Sequence, residues 1–200
     1  MPLITQEFCD RPVEQVARAL IGATLCRRSR EGLTSGVIVE TEAYLPEGDS
    51  AAHSFIGPNR KNASMFGPPC RAYVYTIHAR QCVNVVTEAQ GIGCAVLIRA
   101  LEPLGGRALM EVRRGTDVLR DLCRGPARLT EALGIGRDLD GWPIDRGTRL
   151  WIDIPDDPPA IDVTVTPRIG VTSAEEMPLR FVVAGSSYVS GTRRQNTPIA

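Results

Sequence analysis

Two runs of this sequence carry charges that a folded chain has to pair. Residues 36–44, Gly-Val-Ile-Val-Glu-Thr-Glu-Ala-Tyr, alternate as a β-strand does. Side chains on a strand repeat every two residues, so Glu40, Glu42 and Tyr44 share one face. Residues 93–101, with Cys-Ala-Val-Leu-Ile-Arg-Ala-Leu after Gly93, form another strong strand. Arg99 is a lone charge within it, on the same face as Leu97. A buried arginine nearly always has an acidic partner, and Glu42 or Glu40 are the natural candidates. The pairing requires these two strands to meet in one sheet.

Beyond Tyr44 come a Pro-Glu-Gly-Asp turn and then His53, one of only two histidines in the chain. An acid, a ring and an imidazole so close together can clamp a flat ligand and do acid–base work on it. The plainer alternative is a solvated strand face whose tyrosine packs on a neighbouring strand.

The other elements follow from local pattern. Asp10-Arg-Pro12 predicts a helix start with Asp10 as N-cap; Val13, Val16, Ala17, Leu20 and Ile21 follow at helical spacing, and Gly22 stops the run. A short strand is expected at Thr24–Arg28. Residues 55–71 are a Gly-, Pro- and Asn-rich loop carrying Arg60 and Lys61. Residues 73–78 and 81–86 read as a hairpin. A two-residue Ala79-Arg80 turn would set Tyr75 opposite Asn84 and Tyr73 opposite Val86, with Tyr73, Tyr75 and Asn84 on one face. Pro103 is expected to break the strand before it. Residues 104–124 read as helical with a basic surface, and Gly125-Pro126 opens another helix closed by Gly134. Residues 135–160 read as mostly irregular, 161–166 and 179–184 as strands, and 191–200 as a frayed tail.

A chain of 200 residues suits one domain, and 23 basic against 23 acidic residues leave no global positive field. A nucleic-acid ligand would have to meet a local patch. The six cysteines include no C-x-x-C pair, and no zinc site is expected. Cysteines in apolar strand runs, with neither a signal peptide nor a membrane-length apolar run, lead to an expectation of reduced thiols and a cytoplasmic compartment.

Glu40-Thr-Glu-Ala-Tyr44 followed by Ala51-Ala-His-Ser54 resembles the active-site segment of the alkyladenine (3-methyladenine) DNA glycosylases, monofunctional base-excision repair enzymes. The similarity continues through Tyr73-Val-Tyr75, residues 97–103, residues 123–129, Arg168-Ile-Gly170 and Pro178-Leu-Arg-Phe181. It implies one α+β domain over residues 1–200, a curved antiparallel sheet with flanking helices and a protruding hairpin that inserts into duplex DNA. Carried over by position, Glu42 activates the attacking water, which Arg99 and the main-chain carbonyl of Ile169 help to hold. Tyr44 and His53 stack on one face of the flipped base and Tyr75 on the other, with Tyr73 supporting His53. Asn84 obstructs the 2-amino group of guanine, and Leu97 belongs to the same pocket.

His78 and Arg80 stand at the hairpin tip, where the family generally has tyrosine and a tip one residue longer. Cys70 stands where glycine is more usual. The implied partner is double-stranded DNA containing damaged purines, met by a monomer without a cofactor, in the cytoplasm or, in a prokaryote, at the nucleoid. Schiff-base chemistry needs an amine, and Lys61, the sole lysine, lies outside every matched catalytic segment, so simple hydrolysis is expected. Two other classes stay open on the residues alone: a non-catalytic nucleic-acid-binding domain and a nucleoside or small-molecule hydrolase.

Overall fold

The strand with the two glutamates lies inside the sheet. The computed structural model describes residues 2–157 and 160–198. Helices α1 (Gln6–Cys9) and α2 (Val13–Ala19) precede strands β1 (Thr24–Arg28) and β2 (Leu33–Tyr44). Strands β3 (Ala72–Ile77), β4 (Arg80–Val86) and β5 (Ala95–Gly105) follow, then helices α3 (Arg107–Arg114) and α4 (Pro126–Leu133). The chain ends through β6 (Leu150–Asp153), β7 (Val163–Thr166) and β8 (Arg180–Val183). The sheet runs β3-β4-β5-β2-β1-β6, every pair antiparallel, with β8 joining β2 and carrying β7.

Along β2, residues 40–42 pair with β5 on one edge and β8 on the other, and the side chains of Glu40 and Glu42 are buried. Register shifts on either side of Glu40 mark a bulge, and bulges bend a strand and re-aim its side chains. The result is the α+β domain with a curved antiparallel sheet that the sequence led us to expect.

The two faces of the sheet do different jobs. Val74, Val83, Val85, Val96 and Ile98 enter the main core with Val16 and Ala17 of α2 and Leu129 and Leu133 of α4. By the two-residue repeat, Tyr73, Tyr75, Asn84, Leu97 and Arg99 look the other way. There Tyr73 packs with Met65, Val86 and Ala95, and Tyr44 and Tyr75 close over them.

Several local expectations are corrected. The N-cap of α2 is Pro12; Asp10 instead ends α1, which Thr5 caps through its hydroxyl to Phe8 N at 3.1 Å. The tight turn of the hairpin is His78-Ala79, with φ of 47° and 62°, not Ala79-Arg80. Tyr73 therefore faces Asn84 and Tyr75 faces Cys82. A two-residue slip leaves every side chain on its expected face while changing its partner. Pro103 does not end β5: it sits opposite Gly36 beside a register shift, and a Cβ at Gly36 would lie 2.9 Å from the Glu102 carbonyl oxygen. An edge or bulge is where a strand tolerates proline.

Within 104–124 only Arg107–Arg114 is α-helical, ended by Gly115 at φ 62°. Its basic residues are largely engaged: Arg113 with Glu31 and the Ala132 carbonyl, Arg114 with Glu131, and Arg124 with the Val189 and Gly191 carbonyls. The stretch 135–160 contains β6, too short and too weakly patterned to stand out. In the tail, Gln195 and Asn196 accept hydrogen bonds from Arg180 at 3.0 and 2.7 Å.

The expectation of reduced thiols is corrected at one pair. Cys9 and Cys70 form a disulfide that closes a loop of 61 residues, while Cys26, Cys82, Cys94 and Cys123 are free and buried. Cys70 has φ 61°, in the left-handed region that favours glycine. No helix among the described residues is long and apolar enough to cross a membrane.

Candidate active site

Arg99 does not choose between the two glutamates. Its Nε donates to Glu40 Oε1 at 2.8 Å and its Nη1 lies 3.1 Å from Glu42 Oε2. The same Nη1 donates to the Ile169 carbonyl at 3.2 Å. Glu42 is further gripped by the Ile169 N–H at 2.8 Å and the Tyr44 hydroxyl at 3.0 Å. Glu42, Arg99 and Ile169 thus meet at one point, from three segments far apart in the chain. Burial alone would lower the Arg99 pKa, but the Glu42 and Glu40 charges outweigh it and raise it further. The Tyr44 hydroxyl is pushed well up by burial and by Glu42, so it stays a donor.

Glu40 has a larger role than the sequence assigned to it. Its carboxylate also accepts from Arg180 Nε at 2.6 Å, Ser190 N at 2.7 Å and Ser190 Oγ at 2.8 Å. Arg180 then reaches Thr166 Oγ1 and the Ser190 carbonyl, tying β7 and the tail to β2. Sequence reasoning missed Arg180 as a partner, although a lone arginine in Leu-Arg-Phe-Val-Val is the signal that singled out Arg99.

A second buried pair was missed as well. Arg168 and Asp49 make a two-pronged bridge of 2.6 and 2.7 Å. Arg168 also donates to the Ala43 carbonyl and sits 4.7 Å over the Tyr44 ring, while Asp49 accepts from Leu45 N and Ala51 N. Burial works against the Asp49 charge, but these hydrogen bonds and the Arg168 charge bring its pKa below the ordinary carboxylate value. One bridge therefore sets Tyr44, the turn that leads to His53, and the peptide next to Ile169.

Tyr44, His53, Tyr73, Tyr75, Asn84, Met65 and the 170–173 segment line a cavity of about 210 Å³. The His53 Nδ1 lies 2.8 Å from the Tyr73 hydroxyl, and Asn84 Nδ2 donates to the Tyr73 carbonyl at 2.9 Å. Burial pushes Tyr73 up to about 12 and lowers His53, which favours a neutral imidazole. His53 nevertheless keeps open surface at the cavity mouth. Its ring meets Tyr75 edge-on, centroids 4.5 Å apart at 76°. A base sandwiched between two rings needs them about 7 Å apart, two ordinary contact distances. At 4.5 Å the two rings are in direct contact, closer than that spacing.

Leu97 lies opposite both Glu42 and Asn84 in the sheet and is buried, outside the cavity lining. His78 and Arg80 are exposed at the hairpin tip, and Arg80 leans toward Glu131 of α4 at 3.8 Å. Met65 is a lining residue that sequence reasoning left in an undifferentiated loop.

Comparison with known proteins supplies the class. The family model for methylpurine-DNA glycosylase matches residues 7–187. The chain belongs to the methylpurine-DNA glycosylase family. A relative from Methanoculleus marisnigri, named "Putative 3-methyladenine DNA glycosylase", is 48% identical over 187 residues, which cover 92% of this chain and 96% of the relative. A relative of the same name from Rhodopirellula baltica is 45% identical, covering 96% and 85% of the two chains. Membership makes this chain a DNA repair enzyme, a hydrolase of the glycosylase type. It keeps the glycosylase reading and sets aside the two other classes, the non-catalytic binding domain and the nucleoside or small-molecule hydrolase. In this methylpurine-DNA glycosylase the match spans the segments that bring Glu42, Arg99 and Ile169 together, from β2 through β5 to the loop after β7.

Proposed function

We propose that this glycosylase flips alkylated or deaminated purines (3-methyladenine, hypoxanthine, ethenoadenine) out of duplex DNA and hydrolyses the N-glycosidic bond with a water activated by Glu42. A base inside a duplex is out of reach, so it is extruded and read by stacking and by its edges. The observation that carries the reading is the grip on Glu42. Its carboxylate is buried, held by Arg99, Ile169 N and the Tyr44 hydroxyl, and the cavity is lined by Tyr44 and by Gly170, next to Ile169. A carboxylate there accepts the proton of a water while its charge stabilises the oxocarbenium-like sugar. The Arg99 guanidinium and the Ile169 carbonyl hold that water.

In this reading Tyr44 and His53 take one face of the base and Tyr75 the other, once His53 and Tyr75 separate. Tyr73 keeps His53 oriented, and Leu97 backs Glu42 and Asn84 from below. The His78 imidazole enters the stack at the hairpin tip, and Arg80 leaves Glu131 for a phosphate. The partner is damaged duplex DNA met by a monomer, in the cytoplasm or at the nucleoid.

The deciding experiment uses a duplex oligonucleotide with one hypoxanthine or ethenoadenine. The expected product is an abasic site, revealed as strand cleavage only after alkali. Failure to release either base would overturn the substrate assignment, and cleavage without alkali would overturn simple hydrolysis. Selectivity has its own test. Asn84 is nearly fully buried at the cavity wall, where its side chain crowds an exocyclic amine that adenine-type bases lack. Asn84→Ser should raise the release of normal or alkylated guanine relative to hypoxanthine, measured by chromatography of freed bases. An unchanged ratio would remove Asn84 from the specificity role.

A further inference from the structure

The cleft beside the smaller cavity carries exposed apolar side chains on its loop side and on the hairpin. Phe55 is 59% exposed and Ile56 81% exposed, and Ile77 on the hairpin is 46% exposed. Single exposed apolar residues are ordinary, but these three converge on one cleft of about 910 Å³. The cleft shares Ser50, Ala51, His53, Tyr73, Tyr75 and Ile77 with the smaller cavity, so the two are neighbours bounded by the same side chains. Its remaining wall includes the cations Arg60, Lys61 and Arg137.

The loop that bears Phe55 and Ile56 is braced from inside. Buried Asn62 donates to the His53 carbonyl at 2.8 Å and to the Gly57 carbonyl at 3.0 Å, and its Oδ1 accepts from Asn59 N at 2.7 Å. Phe55 N bonds the Ala52 carbonyl and Gly57 N the Ser54 carbonyl, at 3.1 and 2.8 Å. The apolar pair is therefore held out on a turn clipped to the backbone of His53. Across the cleft, the hairpin tip offers only the modest imidazole of His78, between Ile77 and Ala79.

We propose that Phe55 and Ile56 form a second wedge, which enters damaged duplex DNA beside the flipped nucleotide and covers the base faces it leaves unstacked. The inference rests on the base-flipping reading above. Unstacking a step is costly, and proteins that open DNA recover the cost by inserting apolar side chains between bases. A cleft with apolar lips and cationic walls fits that occupant: ring faces meet Phe55 and Ile56, and phosphates meet Arg60 and Lys61.

The test compares wild type, His78→Ala and the double variant Phe55→Ser/Ile56→Ser. Single-turnover excision of hypoxanthine is measured in duplex and in single-stranded oligonucleotides, alongside 2-aminopurine fluorescence from the position next to the lesion. The replaced side chains are exposed, so the double variant should melt with wild type. Its duplex-to-single-strand rate ratio is expected to fall about tenfold, as for loss of part of an unstacking term, and its 2-aminopurine rise on binding duplex should shrink. Equal losses on both substrates, no loss on either, or an unchanged fluorescence rise would overturn the wedge; the first would point to ordinary binding contacts and the others to a surface for a different partner. If wild type excises hypoxanthine from neither substrate, the substrate reading falls, and the fluorescence comparison alone decides the wedge.

Discussion

Glu42→Gln is expected to cut single-turnover excision by about a hundredfold or more, the scale of losing a general base, while binding of damaged DNA persists. The amide keeps the shape of the carboxylate, and its oxygen can still accept from the Ile169 N–H that now bonds Glu42 at 2.8 Å. Arg99 is not stranded, because its Nε remains on Glu40 at 2.8 Å. The variant should fold, bind and fail at the proton transfer. Binding by fluorescence anisotropy, together with rapid-quench excision, separates the two effects. Near-normal turnover would sink the role assigned to Glu42. Tyr44→Phe gives a graded comparison: the ring stays, the hydroxyl bond to Glu42 goes, and the loss should be smaller.

Glu40→Gln is expected to fail in a different way, through the fold. Glu40 is the shared counter-charge of Arg99 and Arg180, and its own side chain has no exposure. Neutralising it leaves two buried guanidinium groups with one acid fewer between them. Breaking a buried pair of this kind costs about 3–5 kcal/mol. For a domain of this size that corresponds to a fall in Tm of roughly 6–20 °C. A melting curve indistinguishable from wild type would refute the account.

The acid limb of stability carries the same signature. Burial pushes the Glu40 pKa up, but Arg99, Arg180 and the Ser190 N–H outweigh it and hold it below the ordinary 4.5. The unfolded chain therefore takes up that proton first as pH falls. The stabilisation is complete above about pH 4.5 and is lost progressively below it, toward the folded-state value. Glu40→Gln should flatten this part of the Tm–pH curve, and an unchanged slope below that pH would assign acid lability elsewhere.

What the chain could announce locally, it did. Two acids on one strand face and a lone arginine in another apolar run forced β2 and β5 together, because a buried charge demands a partner and strand geometry allows few. Gly134 closed α4 where expected, since its φ of 66° suits glycine. The slip in the hairpin has the opposite cause. His78 and Ala79 adopt φ of 47° and 62° without glycine or asparagine to signal it, so only the packed sheet decides which two residues turn. The Arg168–Asp49 bridge joins residues 119 apart, and Glu40 to Ser190 spans 150. Period-two patterning tells which face a side chain takes, but not which distant loop arrives opposite it. That is set by the bend at the Glu40 bulge and the seating of β8 on β2. The contact of His53 with Tyr75 depends on ring orientations that only the assembled loops impose.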